Sequence, residues 1–281
     1  MGFFLYLCTQ NRIYMILYFS ATGNSLAVAR QLAERLNERL MPLTEAFQLD
    51  LTNEKRIGIV FPTYDFNLPP AMREMVARLR ISPQSYVFTV VTCGSQAGNC
   101  VWALRRILRK KGIELAYSHK VSVPDNSALA FGRNPNKQLG KFKRVPARME
   151  QIIRELQEES HTLHYSWFSL LSWLLGRPLV ERGMIHFLGP KVNADKCTGC
   201  GTCMRVCPMK NIRLCERANS ITNDQSPTTN DKVAIIGDHC TVCLACVHAC
   251  AQQAISTNGQ EARKERQYRH PEIKLKDLLL R

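Results

Sequence analysis

The chain has 281 residues, enough for two ordinary domains with cores of their own. Hydrophobic residues make up 45% and charged residues 22%, a globular balance, and no run reaches the roughly 18 to 20 uninterrupted apolar residues that a membrane span needs. Lys and Arg outnumber Asp and Glu by 38 to 23, leaving a net charge of +15. Basic runs such as RRILRKK (105–111) and GRNPNKQLGKFKR (132–144) read first as solvated faces. A docking surface for an acidic protein or for anionic lipid headgroups is the sharper alternative. No nucleic-acid-binding motif accompanies the charge, so no nucleic-acid partner is expected.

The opening MGFFLYLCTQNRIYMILYF lacks both a basic start and a small-residue cleavage site, so it does not read as an export signal. Residues 1–14 are expected to be an extension ahead of a domain that starts at Met15, and a reducing, cytoplasmic setting is expected. Residues 15–31, MILYFSATGNSLAVARQ, give a short apolar strand, a hydroxyl-rich turn and then helical spacing. Such a turn places N–H groups and hydroxyls at a helix N-terminus, where an anion is favoured. Ser20, Thr22, Asn24 and Ser25 are candidates to hold a phosphate monoester, with Gly23 letting the backbone approach; helix capping is the competing role. Neither a G-x-x-x-x-G-K-S/T loop nor a G-x-G-x-x-G turn is present, which disfavours a nucleoside triphosphatase and a dinucleotide site here.

Two further buried strands lead into loops of a related kind. KRIGIVFPTYDFNLPP (55–70) runs into a Pro- and aromatic-rich loop, and YVFTVVTCGSQAGN (86–99) into a loop with two glycines. Continuous apolar runs alternating with helices indicate a parallel sheet covered on both faces, an α/β doubly wound fold whose ligands bind beyond the carboxyl ends of the strands. Residues 15–162 resemble a flavodoxin-like domain. The resemblance implies FMN: the SATGNS loop would hold its phosphate, and Pro62, Thr63, Tyr64 and Phe66, with Thr92, Gly94, Gly98 and Asn99, would flank its ring. Tyr64 or Phe66 would stack on the flavin, although core packing explains either aromatic alone. Asp65 is the nearby carboxylate and can equally shape its turn. Cys93 and Cys100 lack a partner at ligand spacing and read as buried thiols.

Residues 143–160 have helical spacing and close the first domain. The apolar interdomain segment 163–190 follows. Its YSWFSLLSWLL stretch (165–175) is expected to be a buried interdomain helix, in preference to membrane-surface contact. His161, His164 and His186 show no ligand spacing and stay unassigned.

The last part holds CTGCGTCMRVCP (197–208) and CTVCLACVHAC (240–250), which place Cys197, Cys200, Cys203 and Cys207, then Cys240, Cys243, Cys246 and Cys250, at one spacing. Disulfides and tetrahedral zinc suit this spacing poorly, whereas C-x2-C-x2-C-x3-C is the bacterial iron–sulfur run. Residues 191–258 resemble a small α+β two-cluster ferredoxin domain. The resemblance assigns Cys197, Cys200, Cys203 and Cys250 to one [4Fe-4S] cluster and Cys240, Cys243, Cys246 and Cys207 to the other. Two departures are plain: Ala251 stands where the motif has Pro, and 32 residues, many of them polar, separate Cys207 from Cys240. That spacer reads as a surface loop. Residues 259–281 read as a basic tail.

The whole layout is similar to a family of flavodoxin–ferredoxin fusion proteins. The resemblance implies an electron-transfer protein that connects FMN and two [4Fe-4S] clusters to a redox partner protein, acidic in the sharper reading of the charge. A flavin enzyme acting on a small molecule such as a quinone, or a redox sensor, are the alternatives.

Overall fold

Two apolar runs, RIGIVFP and YVFTVVTC, become the central strands of a five-stranded sheet. In a computed structural model, which describes residues 14–167, 169, 171–172, 178–217 and 232–279, the strands are β1 (Tyr14–Tyr18), β2 (Arg39–Pro42), β4 (Arg56–Pro62), β6 (Tyr86–Cys93) and β7 (Leu115–Ser122). All four pairings are parallel, in the order β2-β1-β4-β6-β7. Two-residue strands β3 (Asp50–Leu51) and β5 (Arg80–Ile81) pair outside this sheet. Taken in chain order the main strands lie 2-1-3-4-5, the flavodoxin-like doubly wound order, whose switch point falls between the first strand and the third. β1 begins at Tyr14, so the domain takes in the last residue of the expected extension, whose other residues lie outside those described.

Because helices cover both faces, the central strands are buried almost throughout. Ile57, Ile59 and Phe61 pack on one side with Met72, Met75 and Val76 of α3 (Pro70–Arg78) and Leu104 and Leu108 of α4 (Cys100–Arg109). Val60 and Phe88 pack on the other with Val28 and Leu32 of α1 (Asn24–Leu36) and Met149, Ile152 and Ile153 of α5 (Val145–Gln157). α2 (Leu43–Ala46) is a single turn that buries Leu43 and Ala46 at one end of the sheet. Each such side chain, fully buried, contributes roughly 1.5–3 kcal/mol. At Gly58 the sheet needs an absent side chain: a Cβ there would meet the Phe88 ring at 2.3 Å.

After α5 the chain runs beside β7, where Ser118 donates to the Thr162 carbonyl at 3.0 Å. Of residues 165–175, expected to be a buried interdomain helix, 168, 170 and 173–175 lie outside the described residues; among the others 169, 171 and 172 are helical and Ser172 is buried, whereas Tyr165, Trp167 and Leu171 are exposed. Trp167 is 83% exposed and Tyr165 44%; the Tyr165 hydroxyl accepts from Arg105 at 3.1 Å, Ser169 Oγ donates to the Gly98 carbonyl at 3.1 Å and Asn67 Nδ2 to the Ser172 carbonyl at 3.4 Å. Ser169 Oγ also donates to the Ser166 carbonyl at 2.5 Å, and Ser166 Oγ lies 3.4 Å from Gln96 Oε1. The interdomain role passes to α6 (Pro178–Leu188), which leads directly into the second unit.

That unit has β8 (Pro190–Val192) antiparallel to β11 (Ile255–Thr257), which pairs with β12 (Gln260–Glu261). The expected tail therefore begins inside this sheet. β9 (Ile212–Glu216) and β10 (Lys232–Ile236) form an antiparallel pair whose connection is the polar spacer, residues 218–231 of which lie outside those described. Two short helices, α7 (Thr202–Arg205) and α8 (Ala245–Ala249), stand at matching places in the two cysteine runs. The runs share a backbone path: Gly199 and Gly201 have φ +66° and +73°, and Val242 and Leu244, their counterparts, have +52° and +60°. Glycine adopts this conformation freely; Val and Leu do so at a cost of order 1–3 kcal/mol each.

Candidate functional site

The loops beyond β4 and β6 are stitched together. Tyr64 and Asn67 exchange two backbone hydrogen bonds of 3.0 and 2.8 Å, closing a tight turn with Asp65 and Phe66 at φ +48° and +56°. This is the two-residue geometry that requires positive φ at both central positions. The Asn99 N–H donates to the Phe66 carbonyl at 2.8 Å, and a Cβ on Gly98 would meet that oxygen at 1.9 Å. Gly98 thus admits the neighbouring loop, where the sequence suggested a close approach to a ligand. Pro62 and Thr92 lie side by side in register, and Thr63 donates to the Thr92 carbonyl. Asn99 Nδ2 reaches Asn67 Oδ1 at 3.4 Å.

Between these loops lies a cavity of about 250 Å3. Of the expected flavin residues, Thr63, Tyr64, Phe66 and Gly94 line it, as does Asp65. Asp125 was not legible as a site residue: it follows β7, its Cβ faces Gly94, and its Oδ1 accepts from the Ser127 N–H at 2.9 Å. The VPDNS stretch carried a signal for it, an Asp turn directly after a strand. The far wall comes from the second unit, through Met184, Ile185 and Leu188 of α6 and Thr241 and Val242 of the second cysteine run. Both aromatics singled out in the sequence, Tyr64 and Phe66, line the cavity. Phe66 is 38% exposed at the turn tip, and Tyr64 sits deeper, edge-on to Phe19 at 6.4 Å.

The SATGNS loop sits apart from that cavity, beneath the C-terminal tail. Ser20 Oγ accepts from the Gly23 N–H at 3.2 Å, and Ser25 Oγ is 2.7 Å from Thr92 Oγ1. Asn24 is spanned: its Nδ2 donates to the Pro124 carbonyl at 2.9 Å and its Oδ1 accepts from the Tyr268 hydroxyl at 2.5 Å. The His270 N–H donates to the Thr22 carbonyl at 2.9 Å, and Ile273 Cβ lies 2.9 Å from where a Gly23 Cβ would be. The residue types and helix N-terminus that suit a phosphate are present, roofed by residues 268–273.

The eight run cysteines separate into the two expected sets. One small cavity is lined by Cys197, Cys200, Cys203 and Cys250, the other by Cys207, Cys240, Cys243 and Cys246. Backbone N–H groups point at sulfur in the way that suits thiolate ligands: Asn211 to Cys207 at 3.4 Å, Val242 to Cys240 at 3.4 Å and Ala254 to Cys250 at 3.3 Å. Among the described residues no three His, Cys, Asp or Glu side chains gather closely enough to hold a single ion. The donor set fits a [4Fe-4S] cluster in each. Burial pushes the Cys203 thiol up to about 11 and Cys243 to about 12, so ligation must displace protons. Cys200, the exposed member, is held lower by the Thr202 backbone N–H. Cys93 and Cys100 are buried in the first domain, pushed up to about 11 and about 12 by that burial. Cys215, on β9, lines neither cavity.

The two sets stand differently toward the 250 Å3 cavity. Thr241 lines both it and the second thiol cavity. Cys243 shares an apolar cluster with Ala21 of the first loop and Tyr64, and Asn126 Nδ2 donates to the Cys243 carbonyl at 3.2 Å. His248 joins the units: its Nδ1 accepts from the Tyr268 N–H and its Nε2 lies 3.1 Å from the Asn126 carbonyl. Desolvation pushes its pKa down to about 4, which keeps the bridging ring neutral. His161, His164 and His186 take no part in these sites.

Residues 189–251 match the family described as a 4Fe-4S dicluster domain. Over 75 residues, 25% of this chain and 77% of the relative, the sequence is 28% identical to Ferredoxin-3 of Nostoc sp.. Solved structures similar to the N-terminal part include a flavoprotein of Bacteroides uniformis (18% identity, 39% of this chain and 89% of that chain, TM-score 0.33). Flavodoxin of Megasphaera elsdenii is another (15% identity, 40% and 89%, TM-score 0.30). Strand order and sheet pairing, more than these distant likenesses, define the N-terminal fold. The chain joins a flavodoxin-like domain to a 4Fe-4S dicluster domain, the layout of a flavodoxin–ferredoxin fusion.

Proposed function

We propose that this protein is an electron-transfer module that holds FMN in the cavity between its two units and a [4Fe-4S] cluster in each thiol cavity. The carrying observation is that Thr241 belongs to the walls of both the flavin cavity and the second thiol cavity. Thr63, Tyr64, Phe66, Gly94 and Asp125 would flank the flavin ring. Ser20, Thr22, Gly23, Asn24 and Ser25 form a helix N-terminus of the kind that suits its phosphate, but apart from the cavity and covered by residues 268–273, so binding there requires that cover to open. When bound, FMN supplies two-electron chemistry that can proceed one electron at a time, and each cluster supplies one-electron chemistry.

The chain's own part is placement. The Cys207, Cys240, Cys243 and Cys246 set is the flavin side. The Cys197, Cys200, Cys203 and Cys250 set is the outer side, because Cys200 is exposed and its neighbours Met204 and Arg205 face solvent. Exposed Arg205 and Arg213 support an acidic redox protein as the partner on that side. A second reading, a flavin enzyme acting on a small molecule such as a quinone, draws support from Asp65, Arg73 and Asp125 in the cavity wall.

The test is kinetic. Under anaerobic conditions, Arg205→Glu and Arg213→Glu together should slow reduction by an acidic ferredoxin and weaken the salt dependence of the rate, while a small chemical reductant acts as before. Equal rates with the protein donor in parent and variant would remove the proposed docking side.

A further inference from the structure

The C-terminal segment fills the space over the SATGNS loop. A Cβ on Gly23 would meet Ile273 Cβ at 2.9 Å and His270 Cβ at 3.1 Å, and Ile273 is itself 3% exposed. Farther along, Asp277 pairs with Arg30 of α1 at 3.3 Å, and Leu275 and Leu279 pack on the apolar cluster that holds Ala21 and Val206. What the segment covers it does not replace. No side chain caps α1, although Asn24, Ser25 and Leu26 are buried, and the N–H groups of a helix's first turn have no partner within the helix. Such groups need an acceptor, but Tyr268 and His270 approach the loop as donors, to Asn24 Oδ1 and the Thr22 carbonyl, and over Gly23 the segment presents the hydrocarbon of Ile273. A phosphate would meet those N–H groups; the segment only shuts it out.

We propose that residues 268–279 form a strap that competes with the phosphate of a flavin for residues 20–25, so that FMN enters through the fraction of chains whose strap is open. This rests on the FMN reading above and adds its regulation. The root of the strap is fixed on the dicluster unit, where Gln267 Nε2 donates to the Cys250 carbonyl at 2.6 Å and the Tyr268 N–H to His248 Nδ1 at 3.1 Å. Its far end is held by the partly exposed Asp277–Arg30 pair, so it opens from that end. A ligand that needs the open form binds more weakly in proportion to how rarely that form occurs. Riboflavin, with the same ring and no phosphate, escapes that penalty.

The experiment uses the full chain with iron restored, and its Ile273→Ala and Asp277→Asn variants. Binding of FMN and of riboflavin is followed by quenching of flavin fluorescence. Ile273→Ala should raise the preference for FMN over riboflavin about tenfold, since truncating a buried Ile loosens the strap by at least that factor. Asp277→Asn should raise it about twofold, the scale of a partly exposed ion pair, and both variants should bind riboflavin as the parent does. In the parent, hydrogen exchange across residues 268–273 should quicken on adding FMN and stay unchanged with riboflavin. If Ile273→Ala fails to fold, Asp277→Asn and the exchange measurement decide. An unchanged preference for FMN in the folded variants, or exchange that FMN leaves as slow as before, would overturn this inference alone. A parent and variants that bind neither flavin would overturn it together with the reading beneath it.

Discussion

The Tyr268 hydroxyl donates to Asn24 Oδ1 at 2.5 Å, joining the C-terminal tail to the first residue of α1 across 244 positions of sequence. Both residues are buried, and burial pushes the Tyr268 phenol well above its usual range, so it stays a donor at any ordinary pH. Gln267 Nε2 donates to the Cys250 carbonyl at 2.6 Å one residue earlier. The tail thus fastens the dicluster unit to the loop that would hold the phosphate. Tyr268→Phe should destabilise the protein by about 1–3 kcal/mol, since Asn24 loses a buried partner. Denaturant unfolding of parent and variant checks this, and an unchanged midpoint would show the bond to be dispensable.

Gly58 sits where a Cβ would come within 2.3 Å of the Phe88 ring. Gly58→Ala must push that ring from a packed layer, at a cost of about 1–3 kcal/mol. Thermal unfolding should show a lower midpoint, and Gly58→Ala combined with Phe88→Leu should recover part of the loss.

His119 contributes to an acid limb of stability. It is 6% exposed, its ring stacks on His164 at 4.4 Å, and Arg148 faces its Nε2. Desolvation chiefly, with the charges of His164 and Arg148, pushes its pKa down to about 4, against the pull of Glu155. In an unfolded chain the ring titrates near ~6.5, so between ~6.5 and ~4 the unfolded state binds the extra proton. Stability from this group is present above that window and is lost as pH falls through it. His119→Gln should flatten the dependence of unfolding free energy on pH between 6.5 and 4; an identical slope would show that another group carries it.

Ligand identity separates cysteines that sequence spacing treats alike. Cys200→Ala removes one of the four thiols around the outer cavity and should lower iron per chain. Cys215→Ala, on β9 and outside both cavities, should leave iron unchanged. Metal analysis of reconstituted protein decides between the two outcomes.

Much of this was readable because the governing signals are local. The parallel sheet shows in runs such as RIGIVFP, buried on both faces, and the iron–sulfur runs show in their cysteine spacing, while the exchange of Cys207 and Cys250 between the two sets came from the family resemblance. Contacts made by distant segments were not readable. Nothing in RQYRHPEIKL announces that Tyr268 and Ile273 cover residues 22–24, because that depends on how two domains dock. Thr241 reads as filler between Cys240 and Cys243 until the cavity places it against the flavin loops. In the YSWFSLL stretch apolar composition suggested burial, yet among its described residues Trp167 is exposed and Ser169 bonds the Gly98 carbonyl.

The central claim is that one chain holds a flavin and two clusters, and an anaerobic reductive titration of iron- and FMN-loaded protein tests it most directly, with electrons counted by visible absorbance and clusters by EPR. About four electrons per chain, two for FMN and one for each cluster, is the predicted result. About two electrons, with no cluster signal, would contradict the account and leave the eight thiols holding something else.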